Sequence, residues 1–326
     1  MNHALAGDWV PYRLEQRDAW SCRWLSLAGR RCSEPFFAET VARCLCEAPN
    51  GNPRASLSSL DFLEYAAQGS AAIAPTAFIF HVSRCGSTLL AQLLGLDPRH
   101  VVLSEVPLFD QLLRLPANAE GAGKGGMLKA AIALQGRPRF GETRLFIKLD
   151  SWNIHHAPLL RTLYPDTPFI LLARTPFEVL LSQRARRGTH AVPGLLDPAL
   201  FGLHAEGIAQ DDTDTYLGKV LAYYYTRFAE LARDRRNLLL DYCQGPEDMM
   251  QRLTRHLGMA QDEAMLASIR ARCRFHAKRP DSAFNEAPAR KAAPACLETA
   301  ETAYRLLGSA SLHDGETGVL LRIAGR

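Results

Sequence analysis

Residues 80 to 94, FHVSRCGSTLLAQLL, are the first whose types and spacing suggest a site for a phosphate-like anion. An apolar stretch and a helical pattern are separated there by four small residues, namely Cys85, Gly86, Ser87 and Thr88. The main-chain amides of such a turn, with the amino end of the following helix, can bind phosphate oxygens. Because Arg84 adds a cation directly before the turn, the run predicts an anion-binding loop. A tight turn without a ligand is the alternative.

The loop lacks the lysine that nucleotide-dependent kinases use. A Walker A loop reads G-x-x-x-x-G-K-[ST], and aligning its second glycine with Gly86 places Ser87 at the lysine position. His81 then stands at the position of the first glycine. A P-loop kinase of a small molecule therefore stays an alternative that the missing cation disfavours.

A second group of anion-binding side chains lies further along the chain, in PFILLARTPFEVLLSQRARRG. Arg174 follows an apolar stretch, Ser182 comes eight residues later, and Arg186 another four residues on. Residues four apart share one face of a helix, so Ser182 and Arg186 are expected to point the same way. Two guanidinium groups and a hydroxyl suit a dianionic phosphate. Taken alone, Arg184, Arg186 and Arg187 are more typical of a solvated basic helix end.

Together, S-R-C-G-S-T-L-L at 83–90 and R-x-P-x-x-x-x-x-S at 174–182 resemble the motifs of the sulfotransferase family. The resemblance covers about residues 76 to 260. It implies that the loop binds the 5′-phosphosulfate of PAPS (3′-phosphoadenylyl sulfate) and that the later Arg and Ser bind its 3′-phosphate. It also implies that Tyr242, at the end of a later strand, lies near the adenine.

The chain departs from the family pattern at two positions, where Ser83 replaces the usual proline and Cys85 replaces a common serine. Both residues are small, so the main-chain cradle is still expected. The donor-binding residues expected from the resemblance are Arg84, Cys85, Gly86, Ser87, Thr88, Leu89, Arg174, Ser182, Arg186 and Tyr242. Further contacts are expected from a basic segment near the C-terminus, at Lys278, Arg279 and Ser282.

The resemblance offers two candidates for the catalytic base. Glu105 stands 21 residues after Arg84, as does the catalytic glutamate of tyrosylprotein-type and related bacterial sulfotransferases. Asp150 stands where small-molecule sulfotransferases have a catalytic histidine. Glu105 is preferred, because it combines the family spacing with a helix start. Lys148 matches the strand-end lysine that steadies the sulfuryl oxygens, with an ordinary surface lysine as the alternative, and Arg84 is expected to stabilise the leaving phosphate oxygen.

The reaction implied is transfer of a sulfuryl group from PAPS to an acceptor hydroxyl of a small molecule or peptide, with PAP as product. A sulfuryl group carries less negative charge than a γ-phosphoryl group, so no metal is expected to be required. A catalytically silent protein that binds PAP is a further alternative, which the presence of Glu105 and Lys148 disfavours.

The elements that position these residues alternate along the chain. Near-continuous apolar strands alternating with helices predict an α/β fold with a parallel β-sheet flanked by helices on both faces. Ligands of such sheets bind at the carboxyl ends of the strands. The predicted strands are 77–82, 100–104, 144–149, 168–173 and 237–242, and the predicted helices are 87–95, 107–114, 127–135, 157–163, 176–187 and 215–233.

The chain is expected to divide at a proline, Pro75. Residues 1–75 are predicted to form an N-terminal cap or accessory module, with a helix that Ser33 caps, and residues 76–326 a sulfotransferase-like P-loop domain. The connector at 188–214 is long for a compact domain, which favours a lid over the acceptor pocket.

Composition limits the class of protein. The 326 residues are 47% hydrophobic and carry a net charge of +4, which suits a small anionic ligand better than nucleic acid. We expect no signal peptide, no membrane span and a cytoplasmic protein. The eight cysteines are scattered and are expected to be reduced thiols that bind no metal. Oligomeric state and acceptor identity are left open.

Overall fold

The computed structural model describes residues 8–52, 56–116, 123–260, 263–276, 279–283 and 293–310, with side chains described up to residue 275 and over 293–308. The strands are β1 (Trp9–Gln16), β2 (Trp20–Ser26), β3 (Leu57–Ser59), β4 (Pro75–His81), β5 (His100–Ser104), β6 (Arg144–Lys148), β7 (Phe169–Ala173), β8 (Leu238–Asp241), β9 (Phe275–His276) and β10 (Arg279–Ala283).

The α-helices of the described residues are α1 (Phe37–Cys44), α2 (Phe62–Ala67), α3 (Ser87–Leu94), α4 (Pro107–Arg114), α5 (Lys124–Gln135), α6 (Ala157–Leu163), α7 (Pro176–Ala185), α8 (Ala205–Ile208), α9 (Thr213–Leu231), α10 (Pro246–His256), α11 (Glu263–Cys273) and α12 (Glu298–Ala310). Short 3₁₀ turns connect several of them, among them Ser151–His156 after β6 and Thr189–Ala191 after α7.

A five-stranded parallel sheet in the order β5-β6-β4-β7-β8 forms the centre of the molecule. Every residue of β7 and all but one of β4 are buried. Because successive side chains of a strand point to opposite faces, this burial requires cover on both faces of the sheet. The α/β fold predicted from the sequence is confirmed, and each predicted strand of the sheet agrees with the observed one to within two residues.

The first 75 residues contribute a three-stranded antiparallel sheet, in the order β1-β2-β3, that sequence analysis did not predict. Pro11 interrupts the pattern of β1, and the pairing with β2 shifts register between Pro11 and Arg13. Two side chains attach β1 to helices of the central domain. The main-chain amide of Leu14 donates to Gln111 of α4 (2.7 Å), and Gln135 of α5 donates to the carbonyl of Pro11 (2.7 Å).

The helix predicted to start at Ser33 begins later than expected. Helix α1 starts at Phe37, and Phe36 occupies the N-cap position without a side-chain hydrogen bond. Pro35 explains the difference, because proline disfavours helical backbone at the residue before it. The N-cap assignment of Ser33 is therefore wrong.

All eight cysteines are free thiols. Among the helices in the part of the chain that the structure describes, none is both long and apolar enough to cross a membrane.

Candidate active site

A cavity of about 500 Å³ opens at the carboxyl end of the parallel sheet. Each of the five strands has a lining residue at its end or within two residues after it. These residues are His81 at the end of β4, Glu105 after β5, Asp150 two residues after β6, Arg174 after β7 and Tyr242 after β8. This is the end at which parallel sheets bind their ligands. Two groups of residues that lie about 90 positions apart in sequence therefore meet in one cavity.

Eleven of the candidate site residues singled out in the sequence line this cavity: Arg84, Gly86, Ser87, Thr88, Leu89, Glu105, Asp150, Arg174, Ser182, Arg186 and Tyr242. Cys85 does not, because its side chain is fully buried in the hydrophobic core. Lys148 does not line it either, since its side chain is covered completely. Lys278 lies outside the described residues, as do the side chains of Arg279 and Ser282.

The loop between β4 and α3 has an unusual backbone. Ser83 and Arg84 both have positive φ angles, 63° and 53°, and Gly86 follows with 82°. Residues other than glycine rarely adopt this region, and such conformations concentrate at functional sites. Glu105 shares the feature, with a φ of 53°. Helix α3 starts directly at Ser87, so the amides of its first turn meet the cavity at the loop.

The ring of Tyr242 lies between the two groups of predicted anion-binding residues. A Cβ atom at Gly86 would lie 2.6 Å from Cδ2 and from Cε2 of Tyr242, so this edge of the ring directly meets the glycine. The guanidinium carbon of Arg174 lies 4.5 Å from the centre of the same ring. Gly86, Tyr242 and Arg174 thus form one layer of the cavity wall, and the glycine is required there both by its φ angle and by the ring.

The two anion-binding groups are in direct hydrogen-bond contact. Nε of Arg84 donates to Oγ of Ser182 (2.8 Å), and Nη1 of Arg174 donates to the main-chain carbonyl of Arg84 (2.9 Å). The hydroxyl of Tyr225, on α9, donates to the carbonyl of Arg174 (2.7 Å) and fixes that loop from behind. The loop residues and the α7 residues therefore belong to one rigid arrangement.

Positive charge is in excess at this end of the cavity. Arg84 and Arg174 lie beside Arg186, and the pKa of Arg84 is lowered by burial and by those two neighbouring guanidinium groups. Glu178 approaches Arg174 at 3.4 Å, whereas Arg186 is exposed and has no ion pair with a described residue. A concentration of guanidinium groups with so little compensating charge is the environment that an anion with more than one negative charge would occupy.

The neighbouring basic side chains behave differently. Arg184 and Arg187 both form ion pairs with Asp214 of α9, at 2.6 and 2.5 Å. One carboxylate therefore offsets about half of the positive charge of this pair. Arg186 lines the cavity and has no ion-pair partner among the described residues. It follows the end of α7 in extended backbone, so the prediction that it shares a helix face with Ser182 is wrong.

A buried ion pair lies at the other end of the cavity. Lys148, 1% exposed, donates from Nζ to Oε1 of Glu105, so it is not an ordinary surface lysine. The ammonium group also lies 5.0 Å from the ring centre of Phe36, which comes from the N-terminal segment. The amide of Glu105 donates to the carbonyl of Lys148 (2.8 Å). The two residues are therefore joined by a main-chain hydrogen bond as well as by their side chains.

The two carboxyl groups at this end have opposite electrostatics. Burial raises the pKa of Glu105, but Lys148 and His81 more than reverse this effect and hold the pKa below its ordinary value. Burial, with the carboxylates of Glu105 and Asp110, raises the pKa of Asp150 to about 8. At neutral pH, Glu105 is therefore ionised and Asp150 carries its proton.

Sequence analysis missed several lining residues. His81 and His190 are buried and face the cavity, and Trp152 and Phe36 contribute aromatic surface. The place of His81 in the sequence could have indicated it, because His81 is the last residue of a strand whose carboxyl end lies at the cavity. Phe36 has no such signal, since it comes from a segment whose packing only the fold determines.

The connector predicted as a lid begins at the cavity. Gly188, Thr189 and His190 line it, and the side chain of Gln183 binds this segment by accepting from the amide of Gly188 (2.8 Å). The same side chain donates to Oγ of Ser83 at 3.3 Å. The start of the connector is thus attached to the anion-binding loop.

Comparison with known proteins finds similar solved structures. The sulfotransferase domain from the curacin biosynthetic pathway is 16% identical, with 60% of this chain and 77% of that domain covered and a TM-score of 0.42. Sulfotransferase STF9 from Mycobacterium avium is 14% identical over 78% of this chain and 79% of its own, with a TM-score of 0.43. Mouse sulfotransferase SULT7A1, solved with PAP, is 15% identical over 66% and 71%, with a TM-score of 0.39.

No protein-family model matches the chain, and no curated protein matches it significantly. All three structures are sulfotransferases, the family that the sequence motifs resemble. With identities below 20% and TM-scores below 0.5, the function of this chain has to follow from the residues of its own cavity.

Proposed function

We propose that this chain transfers a sulfuryl group from PAPS to an acceptor hydroxyl. The observation that carries the proposal is the contact between the two anion-binding groups, Arg84 to Ser182 at 2.8 Å and Arg174 to Arg84 at 2.9 Å, in one cavity. Two adjacent groups of this kind favour a ligand with anionic groups at two ends. PAPS, with a 3′-phosphate and a 5′-phosphosulfate, has this chemistry, whereas a simple nucleoside diphosphate lacks the 3′-phosphate.

The donor's two ends are assigned to different residues. The amides of the loop and of the first turn of α3, with Arg84, bind the 5′-phosphosulfate. Arg174, Ser182 and Arg186 bind the 3′-phosphate, because a planar guanidinium and a hydroxyl match its oxygens. Tyr242, whose edge meets Gly86 and whose ring centre lies 4.5 Å from the guanidinium carbon of Arg174, lies beside both groups and is assigned to the base.

When bound, PAPS supplies an activated sulfuryl group whose bond to the bridging oxygen breaks as the acceptor oxygen bonds to sulfur. Arg84 stabilises the charge that develops on the departing phosphate oxygen. Glu105 takes the proton of the acceptor hydroxyl, since it is the ionised carboxylate of the cavity and Asp150 holds its proton at neutral pH.

Lys148 has two duties in this proposal. Its ion pair keeps Glu105 ionised in spite of burial, and the proposal assigns its ammonium, which protein atoms cover, to the sulfuryl oxygens once the donor occupies the cavity. A buried carboxylate without such a partner would take up a proton instead and could not act as a base at neutral pH.

Two measurements test the proposal. In a thermal-shift series with PAP, PAPS, ADP and ATP, PAP and PAPS should raise the melting temperature more than ADP or ATP at equal concentration, because only they engage Arg174, Ser182 and Arg186. Stabilisation by ATP without stabilisation by PAP would favour a kinase and overturn the donor assignment.

The second measurement follows transfer from labelled PAPS to a panel of phenols, alcohols, sugars and tyrosine peptides. Glu105→Gln should lower turnover by roughly 10²- to 10⁴-fold, the range typical of a lost general base, while PAP still binds. Asp150→Asn serves as the matched carboxyl control. A greater loss in Asp150→Asn than in Glu105→Gln would move the base to Asp150, and equal turnover by wild type and Glu105→Gln would remove Glu105 from the mechanism.

A further inference from the structure

One buried side chain at the centre of the cavity has no role in the mechanism above. His81, the last residue of β4, is 5% exposed and lines the cavity between the anion-binding loop and Glu105. Its Nε2 atom is buried, has no hydrogen-bond partner among the described residues, and lies 3.5 Å from Oε1 of Glu105. A buried polar atom directed at a carboxylate calls for a physical explanation.

The other ring nitrogen determines which proton His81 carries. Nδ1 lies 3.0 Å from the main-chain amide of Ser83, and an amide N–H can only donate. Nδ1 is therefore the acceptor, and the neutral ring carries its proton on Nε2. That proton points at Glu105. Burial keeps the pKa of His81 below its ordinary value, so the ring is neutral at physiological pH.

The contacts of Glu105 distinguish its two oxygens. Oε1 accepts from Nζ of Lys148 and is the oxygen that His81 approaches. Oε2 has no hydrogen-bond partner among the described residues, although the side chain is 24% exposed and lines the cavity. With Oε1 held from two sides, Oε2 is the oxygen left for an acceptor hydroxyl.

We propose that His81 is a positioning residue: its Nε2–H, with Lys148, holds Oε1 of Glu105 so that Oε2 faces the acceptor. Because the same ring accepts from the amide of Ser83, it also connects the geometry of the donor loop to that of the base. The catalytic role of His81 rests on the proposed function. The arrangement of His81, Lys148 and Glu105 does not depend on that function. The ionisable groups that act on the pair are Lys148, Asp150 and His190.

Two substitutions separate the two hydrogen bonds of the ring. In His81→Gln the side-chain amide reaches the position of Nε2 and can still donate to Glu105. In His81→Asn the shorter amide can accept from Ser83 but does not reach Glu105. His81→Asn should lower kcat by about tenfold, the usual cost of a hydrogen bond to a charged group, and His81→Gln should recover most of that loss.

The pH dependence of kcat gives a readout that mere loss of structure would not produce. A hydrogen bond to the carboxylate lowers the pKa of Glu105, so losing it raises that pKa. The acid limb of the kcat profile should therefore move to higher pH in His81→Asn and stay near that of wild type in His81→Gln. His100→Asn is the control, because His100 is also buried at a strand of the same sheet but contacts the carbonyl of Leu94. It should lower the melting temperature without moving the limb.

A measurement without turnover keeps this proposal separate from the proposed function. Long-range ¹H–¹⁵N spectra, assigned by the loss of one signal set in His81→Gln, should show a neutral His81 with its proton on Nε2. A proton on Nδ1, or an acid limb in His81→Asn identical to that of wild type, would overturn the positioning role. If the Nε2–H tautomer is found but no acceptor is sulfated, the arrangement stands and the proposed function fails.

Discussion

Replacing Gly86 by alanine tests the central contact of the cavity. The residue has a φ of 82°, and a Cβ there would lie 2.6 Å from two ring carbons of Tyr242. Alanine in left-handed backbone costs about 1 kcal/mol. The overlap with the ring adds about 1–3 kcal/mol if the ring stays where it is. We therefore expect Gly86→Ala to destabilise the fold by roughly 2–4 kcal/mol, or by about 1 kcal/mol if the ring moves away.

Either response weakens nucleotide binding. A displaced ring leaves the guanidinium of Arg174, whose carbon lies 4.5 Å from the ring centre, and no longer offers a surface for the base. The lost stacking is worth about 1–2 kcal/mol, so the Kd for PAP measured by titration calorimetry should rise about tenfold. Denaturant unfolding of the free protein measures the stability term in the same preparation.

Gly194→Ala is the matched control for this variant. Gly194 has the same positive φ, 82°, but a Cβ there would meet no atom within 4 Å. It should lose about 1 kcal/mol of stability and bind PAP as wild type does. Combining Gly86→Ala with Tyr242→Ala should remove the overlap, so the two changes should not be additive. Equal PAP affinity in Gly86→Ala and Gly194→Ala, or strict additivity with Tyr242→Ala, would refute the proposed packing.

Two further predictions follow from the charges of the cavity. Arg186→Ala should weaken PAP binding about tenfold by calorimetry and ADP binding far less, because the exposed guanidinium is assigned to the 3′-phosphate. Arg184→Ala is the control, because Arg184 pairs with Asp214 and does not line the cavity. Equal losses for PAP and ADP in Arg186→Ala would contradict the assignment. Asp150→Asn should stabilise the protein at pH 8 more than at pH 5, measured by thermal melts. The carboxyl has a folded pKa of about 8, above its unfolded value near 4, so the wild type takes up a proton on folding and loses stability as pH rises between those values. A pH-independent difference would show that Asp150 is not protonated in the folded protein.

The sequence by itself determined the alternation of strands and helices, because the apolar patterns that specify them are local. It also indicated the two groups of residues around Gly86 and Arg174 that line the cavity, since turn residues and strand ends can be recognised without a fold. Locality equally explains what was missed. Pro11 disrupts the pattern of β1, so the N-terminal sheet could not be recognised, and Cys85 lies within the predicted loop although its thiol packs into the core.

Only the tertiary structure decided the electrostatics of the cavity. Glu105 is ionised and Asp150 protonated because β5 and β6 are paired, which brings Lys148 to one carboxylate and leaves the other buried beside it. The place of His81 between Ser83 and Glu105 depends on the same pairing of distant segments. The pKa of a side chain and its hydrogen bonds depend on distances between residues in the folded protein. The spacing of those residues along the sequence does not give these distances.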